Sequence, residues 1–461
     1  MAQPQNGEAD KKAEIAMYIA SSFSSLYPAF TATLIREFPQ IRASFSQYDD
    51  HMPLPVVGRA ERLIALLALT GSTWAKALLN IYDLGYFTQE NTAVEPNVDD
   101  LVIFAPVFET RKDDNDFKVD PEDPDKNLAV VPAVPSFTKP LAEMVARVAR
   151  TKTLVTLDLH SHKFVNQLKE LGVEVINLTA AFELYDELEK RGLLKPNLEN
   201  VFVGVDFGNL PLILKLKKVL KIPITLIALI WKIRHPVSKE GKTRTEHKLI
   251  WGDVKGKRAL VFDDVASSGG TLLTMAKLLI AEGAKEVLIC AIHPVFAGRD
   301  YYKTLCELLA IPQVKVVMTT DSIPLQRPEE SSGQRDDKDL PYVKIPGEIE
   351  GQSELREVIM HPIEPFVGVI IQALMTTRTA EEIKKILEKY IVELRDPDQI
   401  IFELTGQEFK NLVDPKTGKK LHKPEVTAVY REGGLYEPLP PSASDPLPWP
   451  FSPETLQDSA E

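Results

Sequence analysis

Two cysteines among 461 residues, Cys290 and Cys306, are too few for a disulfide framework. Cys290 falls in a run that reads as a buried strand, so the chain suits a reducing compartment and is expected to be cytoplasmic. Basic residues are also in short supply: 54 Lys and Arg stand against 66 Asp and Glu, a formal charge of -12. Broad contact with nucleic acid or anionic lipid needs the opposite balance, so neither is expected as a partner. Long apolar runs are missing as well. "IPITLIALIW" at 222–231 is too short to span a bilayer and reads as a central strand. Residues 15–30, "IAMYIASSFSSLYPAF", outline a secretion signal only faintly, because serines interrupt the run and acidic residues precede it. No Gly-x-x-x-x-Gly-Lys-Ser/Thr occurs; the fragment Gly241-Lys242-Thr243 has Pro236 where the first glycine would stand. No Gly-x-Gly-x-x-Gly occurs either, which excludes the dinucleotide fingerprint along with the nucleotide P-loop.

What is present is ordinary globular material, 44% hydrophobic and 26% charged, in a chain long enough for two or three domains. Short apolar runs alternate with helical patterns: "RLIALLAL", "DLVIFAPVF", "TLVTLDLH", "NVFVGVD", "ITLIALIW", "ALVFDD", "EVLICAIH" and "VKVVMTTD". Runs apolar on both faces, separated by helices, predict an α/β fold with mostly parallel sheets. "LVTLDLHS" at 154–161 and "ALVFDDVAS" at 259–267 share a shape, an apolar strand ending on an acid, as a tandem pair of similar domains would produce. The acidic segment 113–127 and the polar segment 326–339 read as surface. The proline-rich end, from Tyr436 onward, reads as extended or disordered.

One stretch carries chemistry. In "KRALVFDDVASSGGTLLTMAKLLIAEGAKEVLICAIH", from Lys257 to His293, a strand is expected to end at Asp263 and a helix to span about Thr271 to Glu282, closed by Gly283. Between them Ser267, Ser268, Gly269 and Gly270 place backbone amides at a helix start, where the dipole and the missing side chains suit a phosphate. Asp263 and Asp264 need another partner: two neighbouring hydroxyls, or a divalent cation. A ribose 5-phosphate satisfies loop and acids together. A tight strand-to-helix turn with acidic capping reads the same residues without any ligand.

"VFDDVASSGGTL" resembles the phosphoribosyl diphosphate (PRPP) loop shared by type I phosphoribosyltransferases and ribose-phosphate diphosphokinases, the PRPP synthetases. Further stretches, in order, resemble the synthetases: "TLVTLDLHSHKF" at 153–164, "VFVGVDFGN" at 201–209, "IWKIRHPVSKEGKTR" at 230–244 and "TTDSIPL" at 319–325. The resemblance covers roughly residues 13 to 390. It implies two tandem type I phosphoribosyltransferase-like domains and transfer of the diphosphoryl group of Mg-ATP to ribose 5-phosphate, in a homo-oligomer. By the same resemblance Lys232 and Arg234 are catalytic, and Asp263, Asp264, Ser267, Ser268, Gly269, Gly270 and Thr271 hold ribose 5-phosphate. Arg111, Phe45 and His160 serve ATP, and His160 and Asp206 the magnesium. His162 and His293 stand near strand ends, the latter at the edge of the expected pocket.

Departures are visible too. "SFSQYDDHM" at 44–52 keeps Phe45 and Ser46 of an adenine-contacting motif but lacks its glycine, and "APVFETRKDDND" keeps Arg111 and Asp113 but has Asp114 in place of a second arginine. Ser267 replaces an aspartate common in the loop, as in the plant-type, phosphate-independent branch. The expected organisation is a disordered start over 1–12, a first domain over 13–178 with 356–395 packing back on it, and a second domain over 179–325. A surface linker over 326–355 and an extension over 396–461 complete it. A phosphoribosyltransferase consuming PRPP and a silent regulatory subunit are the competing readings.

Overall fold

The computed structural model describes residues 13–37, 45–47, 53–55, 60–70, 73–88, 98–108, 117–119, 127–129, 138–194, 196–206, 208–237, 243–296, 301–323, 342–345, 356–393 and 397–405. Each of the eight quoted apolar runs forms a strand. β1 (Ala13–Ile19), β4 (Ala60–Leu66), β5 (Val98–Ala105), β8 (Thr153–Leu157) and β9 (Glu174–Leu178) make a five-stranded parallel sheet in that order. Its connections include two small antiparallel pairs, β2 (Phe45–Gln47) with β3 (Pro53–Pro55) and β6 (Phe117–Val119) with β7 (Asn127–Ala129).

The second sheet has eight strands. β10 (Asn200–Gly204), β11 (Ile227–Val237), β13 (Arg258–Ala266), β14 (Glu286–Pro294), β15 (Val314–Thr320) and β17 (Arg356–His361) are its parallel body, with β12 (Thr243–Trp251) and β16 (Tyr342–Ile345) as antiparallel edges. The order is β12-β11-β10-β13-β14-β15-β17-β16. The chain leaves β10 toward β11 and returns on the other side of β10 as β13. That reversal opens a crevice at the carboxyl ends of β10 and β13, where open α/β sheets bind ligands. The first sheet runs one way throughout and has no such reversal.

Strand alternation sorts the apolar residues into three layers. Leu63, Ala65, Leu101 and Ile103 face an outer layer with the helices Trp74–Thr88, Thr138–Glu143 and His162–Glu170. Val201, Val203, Ala259 and Val261 face another with the helices Gly270–Ala281 and Tyr301–Ala310. Ile64, Leu66, Val102 and Phe104 of the first sheet and Phe202, Leu260, Phe262 and Leu288 of the second share a third. The helices Ala181–Lys190, Leu210–Leu220 and Glu364–Thr376 fill it. The two sheets are therefore built on one common core.

Several expectations are corrected. "IPITLIALIW" supplies a penultimate strand rather than a central one, because the antiparallel β12 caps the sheet beyond it. The segment 356–395 is divided: β17 joins the second sheet beside β15, whereas Thr377, Tyr390 and Val392 bond to the first unit through Arg62, Thr179 and Asn177. β16 lies inside the expected linker and pairs with β17. The extension begins with a helix, Pro397–Thr405, whose Ile400, Ile401 and Leu404 are buried in the shared layer. Residues 13–37, with the signal-like outline, supply an edge strand and two helices whose Met17, Ile19 and Phe23 are buried. No helix among the described residues is long and apolar enough to cross a membrane.

Arg62 ties this assembly together, pairing with Asp100 on the next strand at 2.6 Å and donating to the Thr377 carbonyl at 2.6 Å. Arg62→Ala removes the buried cation and leaves the Asp100 carboxylate without its ion partner and a helix-end carbonyl without its donor, so a loss of about 2–3 kcal/mol is expected. Arg62→Lys should recover only part, since an ammonium lacks the guanidinium fork. Urea denaturation of the three proteins measures both effects.

Candidate functional site

The candidate residues gather at the carboxyl ends of β8, β10 and β13. β13 runs three residues past the expected end at Asp263, to Ala266, so Asp264 is a strand residue as well. The side chains of the two aspartates stay within hydrogen-bonding reach of each other. Asp263 is buried, in register with Ala291 of β14. Asp264 shares the parity of Leu260 and Phe262, which face the shared layer, and its Oδ2 meets Nδ1 of His160 at 2.6 Å. Its Oδ1 accepts from the Val265 amide at 2.8 Å. The two look-alike strand ends of the sequence thus meet each other, one contributing the imidazole and the other the carboxylate. Each Asp264 oxygen keeps lone-pair capacity for a substrate hydroxyl, since an ionised carboxylate accepts at about four sites.

The loop follows at once. Gly269 has φ +76 and is the N-cap of the helix Gly270–Ala281, which starts one residue earlier than expected; Gly283 ends it at φ +93, as expected. Only glycine takes the left-handed conformation at Gly269 without cost; a Cβ there would merely touch Thr304 Cγ2 at 3.4 Å, so the backbone sets the requirement. Ser267, Gly270 and Thr271 are partly exposed and Ser268 is exposed, so the helix start opens to solvent as an anion site requires.

On the first unit β8 ends at Leu157, and Asp158 turns the chain with φ +43. The Asp158 side chain accepts from the Ala180 amide at 2.9 Å, and the Leu159 amide donates to Asn177 Oδ1 at 2.9 Å. Ser161 then caps the helix His162–Glu170 through the Phe164 amide. His160 is held between these two anchored points. After β10, Asp206 accepts from the Asn209 amide at 3.0 Å through Oδ1. The last residue of β10, Gly204, pairs with Leu229, and β11 runs on to Val237. Lys232 and Arg234 therefore lie on an antiparallel ribbon rising past the same edge, opposite His247 and Thr245. Beyond Arg234 the strand continues to Val237. Phe45 opens the small strand β2, and Arg111 lies outside the described residues.

Burial divides the acids. It pushes the Asp158 carboxyl up to about 7, against hydrogen bonds from Thr179 and Ala180 and with help from the Asp264 charge. Burial also raises Asp264, but the neighbouring His160, a hydrogen bond with Asp263 and the Val265 amide outweigh it and hold the group below the usual carboxylate range. Sequence reasoning passed over Asp158, although it is the acid of the Asp-Leu-His stretch, because an acid after a strand gives no sign of how deeply it will be buried. Among the described residues no three His, Cys, Asp or Glu are grouped to hold a metal ion.

A family model described as phosphoribosyl transferase domain matches residues 177–305, the part that carries β10 to β14. A ribose-phosphate pyrophosphokinase of Aquifex aeolicus is 28% identical over 194 residues, 42% of this chain and 56% of that protein. One of Oceanobacillus iheyensis is 29% identical over 192 residues, 41% of this chain and 54% of that protein. The chain thus spans little more than half the length of these curated relatives. Among solved structures, phosphoribosylpyrophosphate synthetase from Mycobacterium smegmatis superposes with a TM-score of 0.50 at 17% identity, over 78% of this chain and 99% of that one. That likeness shows the fold, two α/β units with mostly parallel sheets, and the family model marks the second as a phosphoribosyl transferase domain.

The raised Asp158 has a definite pH signature. Between about pH 4, the unfolded value, and pH 7 the folded protein holds a proton that the unfolded chain releases, so this group's contribution to stability falls as pH rises through that window. Asp264 acts in the opposite sense: its contribution is present above about pH 4 and lost on further acidification. Asp158→Asn keeps the acceptor and tolerates positive φ, so urea midpoints of the variant should decline less between pH 4 and 7 than those of the parent. Gly269→Ala should destabilise by about 1–2 kcal/mol at every pH.

Proposed function

We propose that this chain is a ribose-phosphate diphosphokinase, moving the diphosphoryl group of Mg-ATP to the C1 hydroxyl of ribose 5-phosphate and releasing AMP. One observation carries the reading: the glycine loop at the reversal of the second sheet stands beside a 2.6 Å contact that joins its Asp264 to His160 of the first sheet. A transferase acting on a single phosphoribosyl substrate needs only the second sheet. A reaction joining two phosphorylated substrates needs a second surface across from it. The curated relatives and the fold likeness support the same choice.

In this reading the amides of Ser267 to Thr271 take the 5-phosphate, with the helix start supplying positive potential. Asp263 and Asp264 accept from the ribose hydroxyls. His160 and Arg111 bind the ATP phosphates, and Phe45 lies toward adenine. Asp206 and His160 would hold magnesium; that fits an ion usually held by one or two carboxylates together with substrate phosphates. Bound there, magnesium supplies neutralisation of phosphoryl charge. Lys232 and Arg234, on the strand ribbon, stabilise the negative charge spread over the transferred group as AMP departs. The protein acts as a homo-oligomer in the cytoplasm.

The test is direct. Purified protein with ribose 5-phosphate, magnesium and ATP should form AMP and PRPP in equal amounts. Consumption of PRPP only when a nucleobase is added would identify a transferase. Neither reaction, with a changed rate of a partner synthetase, would identify a regulatory subunit. Lys232→Ala should lower turnover about a hundredfold or more while leaving the urea midpoint unchanged. Light scattering of the purified protein reads the assembly.

A further inference from the structure

His293, the penultimate residue of β14, is 4% exposed and belongs to the second sheet, yet one of its partners lies in the first. Its Nε2 lies 3.0 Å from the carbonyl oxygen of Leu157, the last residue of β8, and its Nδ1 lies 2.8 Å from Ser322 Oγ. Burial lowers its pKa, so the ring is neutral: Nε2–H donates to Leu157 and Nδ1 accepts the Ser322 hydroxyl. Ser322 is itself tied to the first unit, because its carbonyl accepts from the Tyr27 hydroxyl at 2.6 Å. Tyr27 in turn packs on Phe23 of the shared layer.

An imidazole is an expensive way to fill apolar space. Burying its two nitrogens costs free energy unless both are paired, and a leucine of similar size would pack there without that cost. Both nitrogens are paired here, and the Nε2 partner is the carbonyl from which the chain turns into Asp158, Leu159 and His160. Three residues after Leu157, His160 meets Asp264 on the strand next to β14. The two contacts close a ring: β14 to Leu157, along the turn to His160, across to Asp264 on β13, and back to β14 through the sheet.

We propose that His293 is a positioning residue: by gripping the Leu157 carbonyl from the second sheet it fixes where the 158–160 turn leaves the first, and so sets His160 against Asp264. The kinetic part of this inference rests on the function proposed above; the structural part does not. If the turn slips, the ATP half of the site moves relative to the ribose half, while each half stays intact.

Amide reach supplies the test. A glutamine amide extends as far as Nε2 and can still donate to Leu157, whereas an asparagine amide extends only to the Nδ1 position. In H293N the amide hydrogens of residues 159–164 should exchange about tenfold or more faster, while β13 and β14 keep their protection; H293Q should behave like the parent. Turnover should fall about tenfold or more in H293N and stay within about threefold in H293Q, since displacements near 1 Å can cost up to a hundredfold. Calorimetric affinity for ribose 5-phosphate alone should hold within about threefold in both variants, because that ligand contacts the second unit only. Equal behaviour of the Gln and Asn variants, or exchange rising across β13 and β14 in step with 159–164, would overturn the proposal. Should H293N fail to fold, Tyr27→Phe and Ser322→Ala weaken the same grip from its other side and must speed exchange at 159–164; unchanged exchange there refutes it. A parent protein making no PRPP would remove the function reading alone, and the exchange experiment would still decide the role of His293.

Discussion

Two mostly parallel sheets share one apolar layer, and that layer fixes the distance across which His160 and Asp264 meet. Val155 and Leu157 on one side and Leu260, Phe262 and Leu288 on the other are fully or almost fully buried in it. A sheet can rotate about such a layer only by opening a cavity, which costs several kcal/mol for each large side chain left unpacked. The contact of His160 with Asp264 is therefore held by the core beneath it more than by its own strength. The anion loop, the Asp206 turn and the β11–β12 ribbon all take their positions from the same edge.

The site keeps two acids close together and drives them apart electrically. Asp158 lies deep, meets two hydrogen-bond donors, and stays protonated nearly to neutrality. Asp264 lies nearer the surface, has an imidazole on one oxygen and an amide on the other, and is ionised. The neutral acid shapes the turn; the charged one faces the crevice. A protonated Asp158 spares Asp264 the repulsion that a second buried charge at that position would add.

Legibility in the sequence followed burial. The strand runs were visible because both faces are apolar, and the loop was visible because only Gly269 and its neighbours could make that turn. β17, β16 and the helix Pro397–Thr405 escaped because each is short and amphipathic, with an ordinary mixture of polar residues. β1 was masked by its likeness to an export signal, since an apolar strand followed by small polar residues has the same composition. His293 and Asp158 carried the weakest signals of all: their partners, Leu157, Ser322 and Ala180, lie 22 to 136 residues away along the chain.

The amino-acid order alone determined the α/β class, the phosphate-suited turn and the identity of the charged groups, because periodicity, glycine and charge are local properties. Which strand lies beside which, where the winding of the second sheet reverses, and which of two adjacent aspartates turns toward His160 were decided only in three dimensions. Those outcomes depend on packing two sheets against one layer, and packing is a relation among residues that the chain itself keeps far apart.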